Sequence, residues 1–252
     1  MSNLRLPPGT GLGWMKAART MPSSPAISVV VPLYNEEGNV VELQSQIAAA
    51  LAGMDYELVL VDDGSTDATV ARVERGDRVR ILEFARNAGQ SAAMHAGIHQ
   101  SRGDIIVTLD GDLQNDPADI PAMIAKLDEG YDLVCGYRAK RKDTPFKRLQ
   151  SRIANGVRSR FIGDHVRDTG CTLKVMRRDC REALLLFNGM HRFIPALIRN
   201  MDFRVTEMPV NHRPRVSGVS KYGFGNRAWR ATCDMFGVRW LNSRRTRYRI
   251  KD

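Results

Sequence analysis

The sequence predicts an α/β protein built on a doubly wound, mostly parallel sheet, and three observations carry that expectation. Four short runs rich in Val and Ile, at 27–33, 56–61, 79–84 and 104–109, are apolar without alternation, which is how strands covered on both faces read. Helical spacing recurs at 40–51, 66–73, 90–99 and 117–127, and strand–helix alternation with short links favours parallel pairing. The polar clusters fall just after the apolar runs, at the carboxyl ends of the strands, where such sheets bind ligands.

In the first run, Pro32 cannot donate to a neighbouring strand, so it is predicted to mark the exit. Tyr34, Asn35 and Glu36 follow, an aromatic ring and an acceptor poised at the sheet edge or an ordinary acidic helix entry. After the second run comes Asp62-Asp63-Gly64-Ser65, where Gly64 permits a tight turn and Ser65 or Thr66 can cap the helix predicted at 66–73. Two adjacent acids exceed what a cap needs, and acids at a strand end commonly read a base or ribose. Arg86-Asn87 follows the third run and Asp110-Gly111-Asp112 the fourth. Pro117 suits the first turn of the next helix and Gly130 its end. A fifth run spans 132–137, after which strict alternation stops; 172–176 and 203–210 are further candidate strands, and 138–160 is basic and helix-permissive. This second half is expected to shape an acceptor side.

With 252 residues and 43% hydrophobic content the chain can bury one full core. Cys135, Cys171, Cys180 and Cys233 show no CxxC spacing, so neither a zinc site nor a disulfide framework is indicated and a reducing compartment fits best. His95 and His99 stand four apart without the glutamate or third ligand a zinc helix needs. No run of about 18 apolar residues is present, so no segment is expected to span a bilayer. The formal charge of +10 is concentrated late: eleven Lys or Arg face two Asp from Asn211 to Asp252. Such a block suits a polyanion, either a nucleic acid or an anionic lipid surface, or is a solvated tail.

The strongest chemical signal is Asp110-Gly-Asp112-Leu-Gln114 directly after a buried strand. Two carboxylates two residues apart, with a neutral oxygen beside them, can converge on Mg2+ or Mn2+ and leave positions for water and phosphate oxygens. Capping of the Pro117 helix is the competing role for these acids.

The ordered set Pro-Leu-Tyr-Asn-Glu, Val-Asp-Asp-Gly-Ser, Arg-Asn-Ala-Gly, Asp-Gly-Asp-Leu-Gln-Asn-Asp-Pro, Gly-Tyr-Arg and Arg213-Pro-Arg215-Val-Ser-Gly218-Val-Ser220-Lys221-Tyr222 resembles the family 2 inverting glycosyltransferases of GT-A fold. Within them it is most similar to the branch of dolichol-phosphate mannose synthase and bacterial polyprenyl-phosphate glycosyltransferases. The resemblance covers about residues 26 to 225. It implies that Pro32, Tyr34, Glu36, Val61 and Asp63 hold the nucleoside of a UDP- or GDP-linked sugar, and that Asp110, Asp112 and Gln114 hold metal and diphosphate. It further implies that Arg138 and Arg152 engage an acceptor phosphate, that Arg215 and Lys221 close over the phosphates, and that Asp168 orients substrate or, less favoured, acts as base. A turn role beside Gly170 is the alternative for Asp168. Guanidinium forks and a compact lysine charge suit phosphate oxygens.

A phosphate acceptor is already ionised at neutral pH, its second pKa lying near about 6. In-line attack on the anomeric carbon therefore requires no general base, and catalysis is expected from positioning and charge stabilisation, with Asp112, Asp168 and Arg138 central. A family 2 enzyme acting on a polysaccharide, lipid or protein hydroxyl would need a base. A nucleic-acid-binding module rests on charge alone, without a recognised motif, and no nucleic acid partner is expected.

Many relatives in that branch continue into two transmembrane helices, and this sequence departs from them, which leaves open a separate membrane subunit as a partner. Trp229, Cys233, Phe236 and Trp240 recur at four, three and four, a helical stripe that either lies in the headgroup region of an anionic membrane surface or packs on the core. The expected layout is a flexible lead-in at 1–25, a GT-A domain at 26–225 with a C-terminal acceptor-side extension, and a basic amphipathic tail at 226–252, the whole peripheral on the cytoplasmic face of the membrane.

Overall fold

The computed structural model describes residues 25–139, 156, 158–214 and 224–246. Seven strands form one sheet in the order β3-β2-β1-β4-β6-β5-β7: β1 Ile27–Leu33, β2 Tyr56–Asp62, β3 Val79–Glu83, β4 Ile105–Thr108, β5 Leu133–Arg138, β6 Lys174–Arg177 and β7 Val205–Val210. All pairs are parallel except those of β6, which runs antiparallel to both β4 and β5. The α/β expectation holds, and the one reversal sits where the alternation of apolar runs stops.

Helices cover both faces. On one, α1 (Val40–Ala50) and α3 (Ile120–Asp128) bury Leu43, Ile47, Ile120, Met123 and Leu127 against Val29, Val31, Leu58, Leu60 and Val107. On the other, α2 (Gln90–Gln100), α4 (Ile194–Arg199) and α5 (Phe224–Arg244) cover Val30, Val59, Val61, Ile106 and Met176. Successive strand residues thus feed opposite layers, and each fully enclosed aliphatic contributes about 1.5–3 kcal/mol. Close approach of α2 requires Gly97, because a Cβ there would lie 2.3 Å from Val30 Cγ1.

Two local expectations are corrected. Residues 66–73 contain only a single 3-10 turn, Val70–Arg72. Polar side chains here bond the loop after β1 or the local backbone instead: Ser65 Oγ, just before the segment, accepts from Asn35 N at 2.9 Å, Thr69 Oγ1 from Glu36 N at 2.8 Å, and Asp67 Oδ1 from Thr69 N at 2.9 Å. Such side-chain-to-backbone bonds compete with helix formation. Pro32 lies inside β1, paired with Val61 of β2, rather than beyond it. It is tolerated because β4 pairs with β1 only as far as Val30, so the missing donor faces no neighbour.

Between β1 and β4 the chain reverses its direction of building across the sheet. The polar loops leaving these two strands lie side by side at the carboxyl edge, where a Cβ on Gly111 would stand 2.7 Å from Leu33 Cδ2 and 3.6 Å from Glu36 Cγ, and doubly wound sheets bind ligands at such a reversal.

Candidate active site

The first wall of the candidate site is a pair of interlocked loops. Asn35 adopts a left-handed conformation with φ 55°, and its Oδ1 accepts from Thr66 N at 2.8 Å. Glu36 Oε2 accepts from Asn39 Nδ2 at 2.6 Å, and Glu37 Oε2 accepts from Ala68 N at 3.0 Å. Tyr34 and Glu36 stay partly exposed at this rim.

Neighbouring Asp62 and Asp63 point to opposite layers. Asp62 Oδ2 accepts from Gly64 N and Ser65 N at 3.2 and 3.0 Å, closing the turn. Asp63, 3% exposed, accepts from Ala88 N at 2.7 Å, Gly89 N at 2.9 Å and Asn87 Nδ2 at 2.9 Å. Its carboxylate therefore organises the loop after β3. Gly64, with φ 74°, lies under that loop: a Cβ would stand 2.7 Å from Asn87 N. Val61 is fully enclosed between sheet and α2, leaving only main-chain atoms for a ligand.

The second wall is the loop after β4. Capping of the next helix falls to Asp116, whose Oδ1 accepts from Ala118 N at 3.1 Å and whose Oδ2 pairs with Arg213 Nη2 at 2.6 Å. Asp110 and Asp112 are released from that duty. Asp110 accepts from Gln90 Nε2 at 2.7 Å and from the Thr172 hydroxyl, while Asp112 Oδ1 accepts from Gln114 N at 3.2 Å. Although Asp110 keeps some exposed surface, burial of its carboxyl, then the negative charge of Asp112, push its pKa up to about 6; bonds from Thr172 and Gln90 and the charge of Lys174 pull it only part of the way back. Two carboxylates that repel in an enclosed site match the charge of a hard divalent cation. Among the described residues no group of three or more His, Cys, Asp or Glu converges on one point. Asp110, Asp112 and Gln114 fit a cation that takes its remaining ligands from water and phosphate.

On the far side, Arg138 at the end of β5 grips Asp168: Nε to Oδ2 at 2.7 Å and Nη2 to Oδ1 at 2.9 Å. Burial raises the Asp168 carboxyl, but the bonds and charge of Arg138, with the Gly170 N–H, outweigh it and hold the group below its usual range. The loop presenting Asp168 is fastened from both sides. Glu207 of β7 accepts from Arg167 N at 2.8 Å and from Asp168 N, and Arg158 donates to Thr169 Oγ1 and the Val166 carbonyl. Sequence reasoning misses Glu207, Arg158 and the buried Lys174; only Lys174 leaves a signal, a charge inside the apolar run from Leu173 to Met176. Arg152, Arg215 and Lys221 lie outside the described residues.

The tail helix α5 packs on the core through Met235, Val238 and Leu241. The described members of the predicted stripe are therefore not the packed face: Cys233 is exposed, Phe236 is 59% exposed and Trp240 64%, while the side chain of Trp229 lies outside the described residues. Phe236 meets Phe161 edge-on, with 4.9 Å between ring centroids. Among the described residues no helix is long and apolar enough to cross a membrane.

Comparisons with known proteins bear on the fold and the family. In fold, glucosyl-3-phosphoglycerate synthase of Mycobacterium tuberculosis, solved with Mn2+, uridine diphosphate and phosphoglyceric acid, matches with a TM-score of 0.65 over 88% of this chain and 80% of that one, at 18% identity. A dodecaprenyl-phosphate galacturonate synthase of Rhizobium johnstonii is 44% identical over 223 residues, 84% of this chain and 66% of its own length. An undecaprenyl-phosphate 4-deoxy-4-formamido-L-arabinose transferase of an Enterobacter species is 42% identical over 205 residues, 79% of this chain and 63% of its own length. The chain thus spans slightly less than two thirds of these curated relatives. The family model described as Glycosyl transferase family 2 matches residues 28–185, and the chain belongs to that family.

Proposed function

We propose that the protein transfers a sugar, with inversion, from a nucleotide-diphosphate sugar to a polyprenyl phosphate. The observation that carries this reading is that Asp110 and Asp112 follow the tip of β4 beside the loop of Tyr34 and Glu36 that leaves β1, in a chain 44% and 42% identical to enzymes named for polyprenyl-phosphate sugars. Tyr34, Glu36, Pro32 and the main chain of Val61 line the nucleoside end, and Asp63 keeps the loop beneath in shape. Bound at Asp110, Asp112 and Gln114, Mg2+ or Mn2+ would supply charge neutralisation for the departing diphosphate.

At the acceptor end, Arg138 offers guanidinium N–H groups to a lipid phosphate while Asp168 fixes its plane. An acceptor oxygen attacks the anomeric carbon, the bond from that carbon to the diphosphate oxygen breaks, and nucleoside diphosphate leaves. Asp168 is ionised and already accepts several hydrogen bonds, which suits an acceptor that brings no proton to remove. Arg152, Arg215 and Lys221 are assigned phosphate contacts by the family pattern alone.

The outward face of α5, with Phe236 and Trp240 between Arg239 and Arg244, is assigned to an anionic bilayer, placing the enzyme peripherally on the cytoplasmic side. Each basic residue close to the surface adds about 1 kcal/mol. A membrane subunit is the competing occupant, distinguished by binding to protein-free vesicles.

Incubation with Mn2+, a short-chain polyprenyl phosphate and a panel of UDP- and GDP-sugars tests the reaction. Nucleoside diphosphate should appear, with a glycosylated lipid phosphate, only when the lipid is present. Equal release with polyprenyl alcohol, or with no acceptor, would refute the phosphate acceptor.

A further inference from the structure

Lys174 is the largest fully buried side chain among the described residues and is 1% exposed. It stands on β6 opposite Thr108 of β4 and Cys135 of β5. In the alternation of β6 it falls on the side of Met176, in the layer that also holds Cys135, and Asp110 follows Thr108 by two residues. The ammonium donates to the Cys171 carbonyl. Among the described residues no carboxylate oxygen forms an ion pair with it within 4.0 Å.

An ammonium removed from water is costly unless negative charge answers it. One carbonyl oxygen is a partial answer. Asp110, with Asp112 beside it, lies within reach of the Lys174 charge, while Asp164 and Glu207 act on the neighbouring Cys135. A simple structural tie to Cys171 would need only a neutral donor. The charge therefore calls for an electrostatic role.

We propose that Lys174 is a positioning residue of the cation site, a fixed positive charge that balances the Asp110–Asp112 pair before a cation arrives and limits how tightly that cation is held. The inference rests on reading those carboxylates as the cation site. With Lys174 in place, protein alone holds the cation loosely, and the phosphates of the donor complete its coordination. Lys174 itself touches no substrate, since it is enclosed.

The test is Mn2+ titration of the nucleotide-free protein at pH 8, followed by calorimetry and by the electron paramagnetic resonance signal of free Mn2+. Lys174→Met keeps the length of the side chain and removes its charge, so it should bind Mn2+ roughly ten-fold more tightly, because like charges no longer oppose each other in a medium of low dielectric constant. General loosening of the site would weaken binding, so a gain separates the two roles. Equal or weaker binding by a folded Lys174→Met protein overturns the proposal. Should that variant fail to fold, Lys174→Gln is read in the same way and must show the same gain. If the unmodified protein binds Mn2+ and Asp110→Asn abolishes binding while the Lys174 variants match the unmodified protein, only the role of Lys174 falls. If the unmodified protein binds no Mn2+ with or without nucleotide, the cation reading falls and the Lys174 proposal with it.

Discussion

Arg138 and Asp168 are joined fork to carboxylate, Nε to Oδ2 at 2.7 Å and Nη2 to Oδ1 at 2.9 Å, with both side chains largely enclosed. A carboxylate so occupied is a poor proton acceptor and a good clamp. Asp168→Asn should raise the acceptor KM about ten-fold and lower kcat much less, whereas removal of a true general base costs about 100- to 10,000-fold in rate. Steady-state kinetics with varied lipid phosphate decides between them.

The same pair sets a pH dependence of stability. Folding depresses the Asp168 pKa despite its burial, so the contribution is complete above the unfolded value of about 3.9 and is lost as pH falls through the folded value. Thermal unfolding midpoints of wild type and Asp168→Asn should differ at pH 7 and converge below about pH 4. A constant gap down to pH 3 would remove the ion pair as its cause.

Asp110 shows the opposite sign. Its pKa is pushed up to about 6 by burial and by Asp112, so metal-free protein should lose stability as pH rises from about 4 to 6, a loss absent in Asp110→Asn. A cation must also displace that proton. Apparent Mn2+ affinity should fall by up to about ten-fold per pH unit below pH 6, measurable by titration between pH 5 and 8.

Asp112→Ala should abolish turnover while leaving the fold intact. Capping of the next helix falls to Asp116 rather than to Asp112, so a thermal midpoint within a few degrees of wild type is expected. Its charge neighbours Asp110 in the site assigned to the departing diphosphate, where removing such stabilisation costs about 100- to 1,000-fold or more. Normal activity in a folded variant would remove the proposed cation site.

Legibility of this fold follows the physics of each segment. Runs enclosed on both faces, such as Val29–Val31 and Leu58–Val61, announce themselves because both neighbouring layers demand apolar side chains. The turn at 62–67 and the loop at 110–114 are visible as polar clusters at strand ends, but not the division of labour within them. Asp62 and Asp63 look alike in sequence, yet pleating sends one to its own turn and the other to the loop after β3. The helix predicted at 66–73 does not form because its side chains bond the loop after β1, a tertiary event with no periodic trace. Glu207 and Arg158 are illegible for the same reason, since what they hold lies 40 and 8 residues away.

The tail helix supplies a separable test of surface attachment. Val238, 3% exposed, faces the core, whereas Phe236 and Trp240 face away from it. Val238→Asp should bury an unpaired carboxylate and lower stability by about 3 kcal/mol or more. Replacing Phe236 and Trp240 with Ser should leave the thermal midpoint within a few degrees, because the edge-on packing of Phe236 against Phe161 is a minor part of what holds the helix in place. It should nonetheless cut association with vesicles containing anionic lipid by about ten-fold or more, since each large aromatic contributes about 1.5–3 kcal/mol when taken out of water. Sedimentation of the double variant with such vesicles, against protein-free controls of neutral lipid, reads both the apolar and the charge contributions. Undiminished binding would exclude this face as the attachment surface, because among the described residues no other large aromatic side chain is exposed.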